Sequence, residues 1–159
     1  MKIVYHCYGG AHSSVVAAGV HLGQVPTDRI PTAAEFQRLN LFDVTVGKDH
    51  GLIRFMGRDE YGNEIYTMGR RNAGKQISGV LCGLAEIIGA PGDLVMVDVL
   101  AYVNWLMMVG GYTSRKLGLV KLGRPVVIWG VQRFFWDIVN VVMKIKLTVA
   151  SDNLLVQSR

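Results

Sequence analysis

Cysteine is scarce in this sequence, with only Cys7 and Cys82 among its 159 residues. Two cysteines cannot form the dense disulfide framework of small secreted domains, so that class is excluded. Free thiols are typical of a reducing compartment, and we expect a cytoplasmic location. The first apolar run is short and is followed by polar residues and paired glycines, which is unlike a signal peptide.

Runs of like charge are also absent. The chain carries 17 Lys and Arg against 12 Asp and Glu, a formal net charge of +5, and its basic residues are scattered. Nucleic-acid-binding chains usually concentrate their basic residues, so we do not expect a nucleic-acid partner. The net charge by itself fits an anionic small molecule, a nucleic acid or a membrane surface and does not choose among them. The scattered pattern of the basic residues leaves an anionic small molecule as the expected partner.

No apolar run reaches the length of a membrane span. Residues 94–112 contain Asp98, and residues 126–143 contain Arg133 and Asp137, so neither stretch gives about eighteen uninterrupted apolar residues. Buried strands followed by amphipathic helices explain both stretches better. We therefore expect no transmembrane span, while peripheral contact with a membrane surface stays open.

Apolar residues make up 50% of the chain and alternate between short runs and helical patterns. This alternation predicts an α/β fold: a single three-layer domain with a mainly parallel sheet, P-loop-like or Rossmann-like, plus a β-hairpin. We expect the domain to span residues 1–150 and a polar tail to span 151–159. The predicted strands are 3–5, 94–97 and 126–129, the hairpin is 51–69, and the main helices are 14–22, 72–88, 103–117 and 131–144. A short helix is expected after Thr32, where Glu35 has capping-box spacing.

The ends of the predicted strands locate a ligand site. Leu94–Val97 is a continuous apolar run closed by Asp98, which is typical of a central parallel strand buried on both faces. Ligands of parallel sheets bind beyond the carboxyl ends of the strands. We expect the loop after the first strand, Asp98 and a turn at Gly130 to gather at one edge of the sheet.

The loop after the first strand is the main candidate site. It reads, in order, Gly9, Gly10, Ala11, His12, Ser13 and Ser14. Helix N-termini leave backbone N–H groups unpaired and carry partial positive charge, so phosphate binds there readily. The glycines let the backbone turn and approach a ligand closely. We expect residues 9–14 to form an open cradle for an anion.

One interpretation of this loop is a phosphate-binding loop for a nucleotide with magnesium. Its ending resembles the Gly-Gly-x-Gly-Lys-Thr of the partition-ATPase branch of P-loop proteins. The resemblance implies that Ser14 binds magnesium and that Asp98 is the metal-supporting acid. Ser13 replaces the lysine of that motif and His12 replaces a glycine, which argues against ordinary nucleotide hydrolysis. His12, Arg70 or Lys75 would have to supply the missing charge.

A second interpretation is a phosphocysteine loop. The run from Cys7 to Ser14 resembles the Cys-x-x-Gly-x-Ser-Thr-Ser loop of sugar-phosphotransferase IIB domains and, more distantly, the loop of low-molecular-weight phosphatases. A cysteine at a strand end that faces a helix N-terminus can act as a nucleophile, with His12 as its base. Ser13 stands where a phosphatase needs arginine, which argues against phosphatase activity.

The third interpretation is a tight turn without a ligand, in which Cys7 is a small buried residue. The chain would then be a non-enzymatic interaction module. An apolar surface left exposed elsewhere would suit a homo-oligomer.

A second glycine motif runs from Gly69 to Gln76 and matches Gly-x4-Gly-Lys except at its last position. Arg70, Arg71 and Lys75 follow its first glycine. One hypothesis is that these side chains project toward the first loop and pair with its anion. The alternatives are a second nucleotide-binding loop and a solvated basic helix start.

The segments Tyr5–Ala18 and Leu117–Val127 resemble an uncharacterised bacterial family, a domain of unknown function (number 3189) that is associated with spore-forming Gram-positive bacteria. The resemblance covers nearly the whole chain. It implies a small cytoplasmic protein of one domain and brings no established activity.

Overall fold

The computed structural model describes residues 1–45, 47–100, 112 and 120–157 of the chain. The strands are β1 Lys2–Cys7, β2 Ile53–Arg58, β3 Glu64–Gly69 and β4 Leu94–Asp98. The helices are α1 Ser13–His21, α2 Ala33–Arg38, α3 Gly74–Ile87, α4 Val120–Arg133 and α5 Phe135–Gln157, with a 3₁₀ turn at Gly47–Asp49. The predicted helix at 103–117 lies outside the described residues, apart from Tyr112.

The four strands form one mixed sheet in the order β2-β3-β1-β4. Strand β1 is parallel to both of its neighbours, β3 and β4, while β2 and β3 form an antiparallel hairpin. In this register His6 lies beside Met68 on one side and beside Asp98 on the other. The predicted α/β class, with a mainly parallel sheet and a hairpin, is confirmed.

Helices cover both faces of the sheet, because successive side chains of a strand point to opposite faces. On β1, the side chains of Tyr5 and Cys7 contact His21 and Ser14 of α1. The intervening His6 contacts Ser78 of α3 on the other face. The main core lies on the α1 face, where apolar side chains of α1, α4 and α5 pack with the sheet. The domain therefore has the three layers that the sequence predicts.

The predicted strand at 126–129 is wrong, since these residues lie inside α4. A short apolar run cannot by itself distinguish a strand from a buried helix. In α4, Val127, Ile128 and Val131 are buried while Trp129 is 57% exposed, which is the pattern of one helix face. Gly130 is consequently part of a helix and is not a turn at the edge of the sheet.

Strand β4 is parallel, as predicted, but it lies at an edge of the described sheet and not at its centre. Its first three residues, Leu94–Met96, are half-buried. The prediction of a central strand is wrong, because a continuous apolar run does not by itself imply burial on both faces. Thr32 does form the predicted capping box with Glu35 at the start of α2.

The C-terminal helix is longer than expected. Helix α5 continues to Gln157, so the segment expected as a polar tail from Ser151 begins within a helix. No single helix among the described residues combines the length and apolar character needed to cross a membrane; α4 and α5 would do so only as a pair, and a bend of 57° separates them.

Candidate functional site

The loop between β1 and α1 is built on backbone contact with the end of β3. Gly10 has a φ of +67°, and a Cβ on it would lie 2.4 Å from the backbone nitrogen of Gly69. Conversely, a Cβ on Gly69 would lie 2.6 Å from the carbonyl oxygen of Gly9. Only glycine fits these positions, because a side chain at either one would force the two backbones apart. The loop is therefore fixed in place by strand β3.

The loop is enclosed by the protein. Every residue from Gly9 to Ser14 is buried, and Ala11, Ser13 and Ser14 have no exposed surface. The expectation of an open cradle is wrong, because residues 9–14 are buried and the loop packs directly on the backbone of Gly69. Any anion held here would be shielded from water.

The N-terminus of α1 is buried and is not capped by the side chain of its N-cap residue. His12 occupies the N-cap position without a side-chain capping hydrogen bond, and the first turn contains no acidic residue. The Val16 N–H donates to the His12 carbonyl over 2.8 Å, and this bond closes the first helical turn. The Ser13 hydroxyl is fully buried and has no hydrogen-bond partner among the described residues. A buried helix start of this kind normally finds a cap, a water molecule or a ligand.

Cys7 lies at the base of the same loop. Its Sγ accepts a hydrogen bond from the Gly10 N–H at 3.2 Å, and its thiol donates one to the Ser14 hydroxyl oxygen at 3.3 Å. A strand end that faces hydrogen-bond donors and a helix N-terminus is the setting in which cysteines act as nucleophiles. The Ser14 hydroxyl is thus engaged with sulfur in this structure.

A buried carboxylate, which the sequence reasoning missed, lies beside the loop. Asp43 Oδ1 is 3.0 Å from His12 Nε2, and Asp43 Oδ2 accepts a hydrogen bond from Arg124 Nε at 3.1 Å. The Asp43 backbone N–H donates to the Ala11 carbonyl at 3.0 Å. Because Arg124 lies on α4, far along the chain, no local motif could have indicated this group.

Arg70 does not reach the first loop. Its guanidinium is buried on the α3 face, where Nη2 donates to Asp98 Oδ2 at 2.7 Å and Nε donates to His6 Nδ1 at 3.2 Å. A third bond joins Nη1 to the carbonyl of Arg71. Arg71 and Lys75 are exposed. The contacts of these basic residues give no support to their proposed pairing with an anion at the loop.

Asp98 and Ser14 are not brought together as a magnesium pair. Asp98 bonds to Arg70 on the α3 face and accepts a hydrogen bond from the Leu100 N–H at 2.8 Å, whereas Ser14 bonds to Cys7 on the α1 face. Among the described residues there is also no cluster of three or more His, Cys, Asp or Glu side chains suited to a metal.

The Gly-x4-Gly-Lys motif has a packing explanation. A Cβ on Gly74 would lie 2.5 Å from the Cζ of Arg70, so this glycine makes room for the buried guanidinium. Gly69 makes room for the first loop in the same way. Both glycines are therefore accounted for without a bound nucleotide.

A serine, a histidine and an aspartate lie in the arrangement of a catalytic triad, with Ser78 as nucleophile, His6 as base and Asp98 as orienting acid. The position of the proton on the His6 ring excludes this role. Arg70 Nε donates to His6 Nδ1, so the proton of the neutral ring resides on Nε2, which lies 3.4 Å from the Ser78 hydroxyl. A ring that donates to serine cannot take its proton. Burial lowers the pKa of His6, in keeping with a neutral ring, although Asp98 acts to raise it.

The fold and the loop together define a class: a three-layer α/β protein with a cysteine-bearing glycine loop between its first strand and first helix. The chain belongs to the family described as proteins of unknown function, DUF3189, whose model matches residues 2–147. No curated protein and no solved structure matches the chain.

Proposed function

We propose that this protein binds a phosphate-type oxyanion at residues 9–14, in the loop between β1 and α1. The observation that carries the proposal is the Ser13 hydroxyl, which is fully buried without a partner in the described part of the chain. It lies at a helix start that has no side-chain cap. Buried polar groups are expensive to leave unpaired, and an anion at a helix N-terminus would satisfy both the hydroxyl and the backbone N–H groups.

This protein shares with P-loop proteins the order of its first elements, a strand followed by a glycine loop and a helix. The loop has no lysine, Ser14 is bonded to Cys7, and Asp98 is bonded to Arg70. These contacts favour binding of a phosphate group without magnesium-dependent hydrolysis. The group can belong to free phosphate, to a phosphorylated metabolite or to a nucleotide.

A second candidate function is phosphoryl transfer through Cys7, favoured by the hydrogen bonds that its sulfur makes with Gly10 and Ser14. In such a step the thiolate sulfur attacks the phosphorus of a phosphomonoester. An S–P bond forms, the P–O bond to the alcohol breaks, and the proton given up by the Cys7 thiol ends on the departing alkoxide. Both cysteines are free thiols, which suits the reducing cytoplasm expected from the sequence.

The binding proposal is tested by thermal unfolding with inorganic phosphate, and with ATP in the presence and absence of magnesium. A ligand at about 100 times its Kd stabilises the folded chain by about 2.7 kcal/mol, which raises the Tm by several degrees. We expect phosphate to stabilise the chain and magnesium to add nothing. An intact fold that no phosphate compound stabilises would contradict the proposal.

The variant Ser13→Ala separates ligand binding from stability. Because the hydroxyl has no partner among the residues that the structure describes, its removal should leave the free chain as stable as the wild type, or more stable, while phosphate binds about tenfold more weakly. Thr67→Val is the matched control, since the Thr67 hydroxyl is also buried, has no partner within the described ranges and lies on β3. Calorimetric titration should show equal affinity for phosphate in the control and the wild type.

The phosphoryl-transfer candidate is tested by mass spectrometry. Incubation with acetyl phosphate or a phosphomonoester should add one phosphoryl group to Cys7 and none to Cys82. Cys7→Ser should abolish this modification. An unmodified Cys7 in a chain that binds phosphate would leave the binding proposal standing and remove this candidate.

A further inference from the structure

We infer that Arg124 supplies the positive charge for the anion at residues 9–14, in place of the lysine or arginine that the loop itself lacks. This inference rests on the proposed phosphate binding. It assigns a cation from α4 to a site that is otherwise built from the β1–α1 loop.

The connection between Arg124 and the loop is Asp43. The side chain of Asp43 has no exposed surface, so its carboxylate needs partners in the protein. Those partners include the His12 ring at the start of α1 and the Nε of Arg124, at 3.0 and 3.1 Å. One carboxylate thus holds the guanidinium close to the helix start at which the anion would bind.

The backbone around Asp43 is adapted to this role. Asp43 has a φ of +55°, a left-handed conformation that is uncommon for residues other than glycine. Its N–H is bonded to Ala11, inside the loop. The backbone N–H and the Oδ1 of Asp43 thus both bond to the same loop, at Ala11 and His12. A residue held in a rare conformation by such bonds is typical of a positioned functional group.

Arg124 is suited to contact an anion while bound to Asp43. A guanidinium has five N–H donors, and the bond to Asp43 uses only Nε. The side chain is 34% exposed, so it is neither fully enclosed nor free in solvent. Its two terminal nitrogens have the fork geometry that matches two oxygens of a phosphate group.

The test measures the Kd of inorganic phosphate by calorimetry for the wild type, Arg124→Gln and Arg133→Gln. Arg133 is exposed on the same helix, so it controls for the loss of one positive charge. We expect Arg124→Gln to raise the Kd about 10- to 100-fold and Arg133→Gln to change it less than about twofold. Equal affinities of the two variants would overturn the inference while leaving phosphate binding intact.

A measurement on the unaltered chain covers the case in which Arg124→Gln does not fold. Phenylglyoxal modifies accessible arginines, and mass spectrometry reports the extent of modification at each position. Saturating phosphate should slow the modification of Arg124 several-fold and leave that of Arg133 unchanged. Equal rates at Arg124 with and without phosphate would overturn the inference, whereas a wild type that binds no phosphate would remove the proposed function itself.

Discussion

At the residue scale, two buried histidines make the stability of this fold depend on pH. His21 bridges Tyr5 and Asp59, with its Nδ1 2.7 Å from the Tyr5 hydroxyl and its Nε2 3.1 Å from Asp59 Oδ2. Burial lowers the pKa of His21, although its hydrogen bond to Asp59 acts to raise it. Burial likewise lowers the pKa of His6. The folded chain therefore keeps both rings neutral at pH values where the unfolded chain would protonate them.

We expect the free energy of unfolding to fall as the pH is lowered through about 6.5, the ordinary pKa of histidine. Below that pH the unfolded chain binds more protons than the folded chain, so the stability present above it is lost progressively. Urea unfolding at about pH 7.5 and about pH 5.5 measures the effect, and His21→Gln should reduce the pH dependence. Equal stability at both pH values would show that the folded chain protonates these rings as readily as the unfolded chain.

Gly10 allows a sharp test of the packing of the loop. Gly10→Ala combines a left-handed backbone with a clash against Gly69, and we expect a loss of more than about 3 kcal/mol. Gly62→Ala has a similar φ of +79° with nothing within 4 Å, so it should cost only about 1 kcal/mol. Chemical denaturation gives both values. Similar losses would mean that the backbone conformation, and not the contact with Gly69, sets the requirement for glycine.

At the scale of elements, the glycines of helix α3 differ in how much space surrounds them. Gly79 is exposed with nothing within 4 Å of a Cβ, whereas a Cβ on Gly74 meets Arg70. We expect Gly79→Ala to stabilise the chain by about 0.5–1 kcal/mol through helix propensity, and Gly74→Ala to destabilise it. Both changes are measured by urea unfolding. A stabilising Gly74→Ala would show that Arg70 can leave its position at no cost.

The elements also show how far the sequence can predict this structure. Features that depend on neighbours within a few residues were predictable from the sequence. These are the capping box at Thr32, the end of α1 before Gly23 and the hairpin. The run at 126–129 was misassigned because apolarity alone does not choose between strand and helix. The buried group of Asp43 and Arg124 was out of reach, since only the fold brings those two residues together.

At the scale of the whole molecule, one core joins the sheet to the C-terminal helix, since Tyr5 of β1, Val16 of α1 and Ile138 of α5 belong to the same buried cluster. The chain should then unfold as a single cooperative unit. Far-UV circular dichroism and tryptophan fluorescence should report the same transition.

Ile138→Ala tests this shared core. It should cost about 2–5 kcal/mol and lower the Tm seen by both probes together, because Ile138 is fully buried. Met143→Ala is the control on the same helix, since Met143 is 41% exposed and its loss should matter little. Two separate transitions would show that α5 unfolds independently of the sheet.

The backbone contact between Gly10 and Gly69 has a consequence for evolution in this family. A substitution that adds a side chain at one of these positions can be accommodated only if the other segment moves. Neither glycine can therefore be replaced by itself. We expect these two positions, which are far apart in the sequence, to change together or not at all. Relatives that keep the loop but lose the second glycine should have rebuilt the end of β3 as well.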